Sequence, residues 1–121
     1  MFFDDVKLKM YKIFYCLIVI FSRVFCKKPE IIQFSPFFTA EKNEAFQLIC
    51  GISKGTKPIE FQWFKDGVKL SQLSDITVET KFLSSSIQFD SVKITDSGNY
   101  SCRAVNDEGF DQSSTLLQVK G

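Results

Sequence analysis

The side chains best able to do chemistry in this sequence are four cysteines and fourteen carboxylates, and its 121 residues include no histidine. Without histidine, neither a Ser-His-Asp nor a Cys-His catalytic arrangement is possible, and a zinc site could hold no histidine ligand. The formal net charge of +1 provides no electrostatic footprint for nucleic acid. Any chemistry would therefore depend on the acids or the thiols.

The acids are better explained by turns than by catalysis. Asp66-Gly67 and Asp96-Ser97-Gly98 have the composition of tight turns, and Asp90 and Asp107 are scattered along the chain. No pair of carboxylates is singled out, and no loop shows the spaced acids of a calcium site. We therefore expect neither an enzyme nor a metal site nor a cofactor.

The N-terminal segment differs from the rest of the chain. Three lysines precede an unbroken apolar run of nine residues at 13–21. That length suits the core of a signal peptide and falls short of the ~20 residues that span a membrane. We predict a signal peptide at residues 1–26. An uncleaved anchor or a buried helix are the alternatives.

The cleavage site is expected after Cys26, because Val24 and Cys26 occupy its −3 and −1 positions. Cleavage after Ser22 is a second possibility. The mature chain, residues 27–121, is then a single domain with a net charge of about −1. It would be secreted or displayed on the extracellular face of the plasma membrane.

The leader would also remove Cys16 and Cys26, which leaves Cys50 and Cys102 in the mature chain. Two cysteines in an oxidising secretory compartment predict one disulfide. The loop between them is about 50 residues long, so closing it would contribute about 4 kcal/mol through loop-closure entropy.

The mature chain has the pattern of a β-sandwich. Period-2 alternation recurs, broken by turn residues every eight to twelve positions, and no stretch shows sustained helical periodicity. Asp66-Gly67 and the segment 106–109 predict hairpin turns. The predicted strands are 29–34, 45–52, 59–65, 68–70, 75–80, 84–89, one through 100–104, and 113–119.

The types and spacings of several residues can be explained by the packing of a β-sandwich core. Trp63 follows Cys50 by thirteen residues and can pack on the disulfide. Tyr100 precedes Cys102 by two residues, and its hydroxyl can bond the backbone of the preceding corner. The predicted core signature comprises Leu48, Trp63, Asp96, Gly98 and Tyr100.

Together these features resemble the immunoglobulin superfamily, and the short run at 70–74 resembles the I-set type. The resemblance implies an all-β, immunoglobulin-like sandwich with one inter-sheet disulfide between Cys50 and Cys102. More narrowly, residues 29–34, 54–67 and 97–106 are similar to immunoglobulin domains of the Down syndrome cell adhesion molecule (Dscam) family, with arthropod members fitting best.

The narrower resemblance implies an N-terminal domain that binds protein, most simply another copy of itself, in neuronal self-recognition. Family members normally carry further domains and a membrane span, so anchoring would depend on segments downstream of this chain. The alternative is a secreted immune module that binds microbial surfaces. A structural spacer, as in muscle arrays, is a third reading, which the leader argues against.

Strand parity separates outward from inward side chains and so indicates a contact surface. An apolar patch around Arg103 is the candidate. The alternative is that these are ordinary surface residues, and the opposite face, with Gln47, Ile49 and Gln88, could serve instead. The binding candidates are Gln62, Phe64, Arg103, Val105 and Leu116.

One modification signal is present. Asn99-Tyr100-Ser101 is the only Asn-x-Ser/Thr sequence in the chain. Since Tyr100 is expected to point inward, Asn99 should point outward and accept a glycan. Such a glycan would lie at one end of the face that carries Phe64 and Arg103, and would restrict contact there.

Overall fold

The structure is a computed structural model that describes residues 26–71 and 75–121. Residues 1–25 of the signal peptide predicted at 1–26 lie outside the described residues. Part of the short run at 70–74 also lies outside them. Within the described chain, no helix is long and apolar enough to span a bilayer.

The described residues form strands joined by short turns, with one 3-10 helix at Ile94–Asp96. This matches the alternating pattern of the sequence. The strands are β1 (Glu30–Ile31), β2 (Phe37–Glu41), β3 (Phe46–Lys54), β4 (Glu60–Lys65), β5 (Val68–Lys69), β6 (Ile76–Thr80), β7 (Ser84–Phe89), β8 (Gly98–Asn106) and β9 (Gly109–Lys120).

The strands make two sheets that pack face to face. One has the order β1-β3-β7-β6 and the other the order β2-β9-β8-β4-β5. Neighbouring strands are antiparallel, except for β2, which runs parallel to β9. The predicted all-β sandwich with its Cys50–Cys102 disulfide is confirmed.

The N-terminal strand differs from its prediction. The sequence predicted one strand at 29–34, but only Glu30–Ile31 pairs with β3, and its register is irregular. After Pro36 the chain joins the other sheet as β2, which was not predicted. Proline cannot donate a ladder hydrogen bond, so a change of sheet at this point leaves no donor unpaired. The partner of β2 is about 80 residues away, and no local turn signal indicates such a pairing.

The disulfide lies at the centre of the core. Cys50 of β3 and Cys102 of β8 are both fully buried, with their Cα atoms 6.3 Å apart. Trp63 pairs with Cys102 in the β4–β8 ladder and is buried beside it. Its indole Nε1 donates a hydrogen bond to Ser85 Oγ at 2.9 Å, which satisfies the polar atom of both side chains. The two sheets are therefore joined by a covalent bond and a buried hydrogen bond.

Two further hydrogen bonds hold the corner that precedes β8. The Tyr100 hydroxyl donates to the Asp96 carbonyl oxygen, which forms a tyrosine corner. The Asp96 carboxylate accepts a hydrogen bond from the Lys93 backbone N–H at 2.7 Å. Gly98 leaves room for the Asp66 carboxylate, because a Cβ there would lie 2.9 Å from it and would force that side chain to shift.

The hairpin between β4 and β5 follows from its two turn residues. Asp66 and Gly67 both have positive φ, 50° and 83°, as a two-residue type I′ turn requires. The turn also places Asp66 beside β8, where its Oδ1 accepts a hydrogen bond from the Asn99 backbone N–H at 2.9 Å. The same residue therefore ends one strand and fixes the start of another.

Replacing Cys50 and Cys102 by alanine should lower the melting temperature by more than about 15 °C. The bridge closes a separation of 52 residues. Its loss therefore costs about 4 kcal/mol, and each kcal/mol shifts the melting temperature of a domain this size by about 4–8 °C. Calorimetry measures the change. A thiol reductant should lower the melting temperature of the parent chain much more than that of the double variant, and an unchanged value would contradict the role of the bridge.

Stability should also fall as the pH rises above about 10, the ordinary pKa of tyrosine. Burial raises the pKa of Tyr100, and the charges of Asp96 and Asp66 raise it further. The unfolded chain therefore loses this proton first, so folding stability is fully present below pH ~10 and declines above it. Denaturant unfolding of the parent and of Tyr100→Phe from pH 8 to 11 isolates the effect. Identical pH dependence in the two would contradict it.

Candidate functional site

The outer face of the five-stranded sheet carries its side chains in rows set by strand register. Gln62 of β4 lies opposite Arg103 of β8, and Arg103 lies opposite Gln112 of β9. The next row pairs Val105 with Phe110. Because side chains alternate along each strand, all of these project away from the core. These two rows therefore present one cation, Arg103, among amides and apolar groups, with the carboxylate of Glu60 opposite Val105.

Arg103 has an unusual environment. Its guanidinium Cζ lies 4.0 Å from the centroid of the Phe110 ring, a close cation–π contact. Its Nε is buried and has no hydrogen-bond partner among the described residues. An unpaired buried donor costs about 1–3 kcal/mol, and Nε could gain an acceptor from outside the domain only if the Arg103 side chain moved.

The structure brings four of the five binding candidates together and separates one. Gln62, Phe64, Arg103 and Val105 are half-buried neighbours on β4 and β8. Leu116 lies on the same face and is 51% exposed. It is four residues from Gln112 along β9, about 13 Å from the row of Arg103. We call Gln62, Phe64, Arg103, Val105 and Phe110 the Arg103 patch.

Sequence reasoning missed two exposed aromatic residues on this face. Phe110 is 50% exposed and Phe37 is 55% exposed. The last strand was predicted from residue 113, whereas β9 begins at Gly109, directly after the hairpin turn. That turn could have revealed Phe110, because a two-residue loop makes the strands on both sides continue to it. Phe37 lies on β2, which the sequence did not predict.

The opposite sheet has a different surface. Ile49 is 56% exposed and Ile32 is 61% exposed. The Ile32 backbone N–H donates to the Gly51 carbonyl at 2.9 Å, which holds Ile32, directly after β1, beside the strand that carries Ile49. Gln47 and Gln88 flank them in register. This face offers aliphatic contact but lacks a cation–π pair, so it is the matched reference for the Arg103 patch.

The predicted glycan acceptor is exposed. Asn99 lies on β8 and pairs with Leu116. Its backbone bonds Asp66 in both directions, as donor at 2.9 Å and as acceptor at 2.8 Å. The side chain is therefore directed to solvent from a fixed backbone.

The acids do not form a catalytic or metal-binding cluster. No group of three or more Asp, Glu, Cys or His side chains among residues 26–71 and 75–121 is arranged to hold a metal ion. Asp66 and Asp96 accept backbone hydrogen bonds in turns. Asp75 forms an exposed ion pair with Lys93 at 2.7 Å, and this hydrogen bond and charge lower the pKa of Asp75.

Comparison with known proteins identifies the class. The model of the immunoglobulin domain family matches residues 28–106, so the chain belongs to the immunoglobulin domain family. The chain is 38% identical over 80 residues to the cell adhesion molecule DSCAML1 of Mus musculus and 36% identical over 74 residues to the cell adhesion molecule Dscam2 of Drosophila melanogaster. These matches cover 66% and 60% of this chain and 4% of each relative.

Solved structures agree with this assignment. A titin fragment with domains I67–I69 is 28% identical, with a TM-score of 0.69, over 76% of this chain and 32% of that one. Isoform 5 of the Dscam1 Ig7 domain shares the fold, with a TM-score of 0.71 at 23% identity, over 76% of this chain and 96% of that one. The chain is therefore an immunoglobulin domain homologous to those of Dscam-family adhesion molecules, and these families are not enzymes.

Arg103→Met should leave the melting temperature within about 4 °C of the parent value. The substitution removes a cation–π contact of about 0.5–1 kcal/mol, but it also removes the unpaired donor at Nε. Methionine keeps the apolar stem that packs on the sheet. Thermal unfolding measures the change, with Leu48→Ala in the buried core as the destabilising control, expected to cost about 2–5 kcal/mol. A decrease in melting temperature as large as that of the control would show that Arg103 is needed for the stability of the fold.

Proposed function

We propose that this chain is an extracellular recognition domain that binds another copy of itself through the Arg103 patch, in neuronal self-recognition. The observation that carries the proposal is the half-buried Arg103, whose guanidinium Cζ lies 4.0 Å from the centroid of the exposed Phe110 ring. A cation held over an exposed aromatic ring is positioned before binding, so a partner can bind it with little further loss of side-chain entropy.

The composition of the patch supports protein binding. Arginine and aromatic residues are the types most often found at interface hot spots, where neighbouring side chains exclude water. Arg103 is already half-buried, so little further desolvation is needed on binding. Gln62 can adapt its hydrogen bonds to a partner. Such a surface favours a polypeptide over a small ligand.

Two charged residues of this face, Glu60 and Arg103, are self-complementary. Glu60 pairs with Val105 and so projects from the same face, diagonal to Arg103. Neither residue forms a salt bridge with a described residue. A two-fold axis between them would place Glu60 of each copy against Arg103 of the other, and two-fold contacts are the most common in homo-oligomers. This supports a second copy as the partner.

The location follows from the leader and the family. A signal peptide at residues 1–26 would deliver the domain to the compartment in which the Cys50–Cys102 disulfide forms. Two relatives are named cell adhesion molecules. A contact between two single domains would be weak, and many copies on opposing surfaces would supply adhesion through avidity.

Beads coated densely with the domain should aggregate, and Arg103→Glu or Glu60→Arg should each abolish aggregation through like-charge repulsion. Beads carrying Arg103→Glu should nevertheless aggregate with beads carrying Glu60→Arg, because both charge pairs are restored in that mixture. Microscopy of two bead colours measures this.

Ile49→Ser, on the opposite sheet, is the matched control and should aggregate like the parent. Aggregation that survives both charge reversals but fails in Ile49→Ser would move the contact to the other face. No aggregation at high density, together with selective binding of bacteria, would favour the alternative of an immune recognition module.

A further inference from the structure

Three residues on adjacent strands form one row at the end of the five-stranded sheet. Asn99 of β8 pairs with Leu116 of β9, and Leu116 pairs with Phe37 of β2. All three are exposed, and the two apolar side chains leave about half of their surface to solvent. We call Leu116 and Phe37 the apolar shelf. No described residue covers it, although exposed apolar side chains in contact usually mark a binding surface.

We propose that Asn99 carries an N-linked glycan whose first sugars pack over the apolar shelf. This inference rests on the proposed extracellular function, because the modification requires the secretory pathway. It assigns one occupant to the shelf, a carbohydrate attached to the neighbouring residue of the same row.

The acceptor is well placed for this role. The side-chain amide of Asn99 makes no hydrogen bond with the described residues, whereas its backbone is held by Asp66 on both sides. The side chain is thus free to be modified and fixed in direction. The Ser101 hydroxyl, which completes the Asn-x-Ser sequence, lies on the same face and bonds Ser114 at 2.7 Å.

The two sides of Asn99 differ in polarity, which decides where the glycan lies. On one side is the Asp66-Gly67 turn with its carboxylate, and on the other are the two apolar side chains. The C–H face of a sugar ring is apolar and packs on aliphatic and aromatic groups, so water is removed from both surfaces. The shelf reaches two strand spacings from Asn99, about 10 Å, a span suited to the first two sugars.

This placement directs the glycan away from Arg103 at the centre of the patch. A glycan that crosses β9 and β2 runs along its own row, and Arg103 lies four residues away along β8, about 13 Å. Leu116, which the sequence grouped with the binding residues, then belongs to the glycan contact and not to the contact between copies.

The first test is occupancy. The full chain is expressed in glycosylating cells behind a leader of established function, so that entry into the secretory pathway does not depend on residues 1–26. Intact-mass spectrometry should show one glycan that peptide-N-glycosidase removes and that Asn99→Gln and Ser101→Ala both lack. A parent chain without a glycan overturns the proposal.

The second test is the contact. The glycosylated parent should melt about 4 °C above Asn99→Gln, a shift typical of about 1 kcal/mol in a domain of this size. The difference should vanish in a Phe37→Ser background and in a Leu116→Ser background, either of which suffices if the other fails to fold. It should persist in Ile49→Ser, an equally exposed residue on the opposite sheet. No difference in the parent, or one that persists without the shelf, overturns the contact.

Self-binding through the Arg103 patch and the glycan on the apolar shelf can be overturned independently of each other. Aggregation of beads that carry Asn99→Gln tests self-binding without any glycan. Self-binding without a glycan on the parent would overturn only this inference. A glycan with its shelf-dependent melting shift, on a domain that does not aggregate, would support this inference and overturn only homophilic binding.

Discussion

The bridge between β3 and β8 is the constraint on which the rest of the structure depends. Because Cys50 and Cys102 must both point inward to meet, they fix the parity of one strand in each sheet. The ladders then carry that parity to every neighbouring strand. Trp63, opposite Cys102, is forced into the core and bonds Ser85 on the other sheet. The outward residues are fixed by the same geometry.

Arg103 is an outward residue for this reason. It follows Cys102 directly, so it must project from the opposite side of the sheet. A long cationic side chain there can either extend into water or lie on the sheet, and Phe110 on the neighbouring strand holds it down. The result is a guanidinium that is positioned before any partner arrives and that keeps an unpaired donor within the described chain. A rigid, partly desolvated cation loses little side-chain entropy on binding, which favours a specific contact.

Much of this fold could be predicted from local signals. Ser84–Phe89 was predicted with its observed bounds, and Asp66-Gly67 forms the expected hairpin. Alternation identified the buried strands because each has one face in the core and one in solvent. The strand β2 could not be predicted, since five residues with two adjacent phenylalanines show no clear alternation and the parallel partner is distant in sequence.

The candidate site could be predicted only in part, for a related reason. Parity indicates that a side chain points outward but not which neighbour it contacts. The stacking of Arg103 on Phe110 depends on the register of β8 and β9, which the two-residue hairpin sets. The shelf depends on β2, so Phe37 and the placement of Asn99 beside it emerge only from the folded sheet. The outward direction of a side chain could therefore be predicted, because it depends on one strand. The apolar shelf beside Asn99 could not, because it depends on the pairing of three strands.

The most direct measurement of homophilic binding through the Arg103 patch is a concentration series of amide NMR spectra on the isotope-labelled domain. Weak self-association shifts the signals of residues at the contact as the concentration rises. We expect the largest shifts at Gln62, Arg103 and Val105, with little change at Ile49. Shifts centred on Ile49, or none at millimolar concentration, would contradict this assignment.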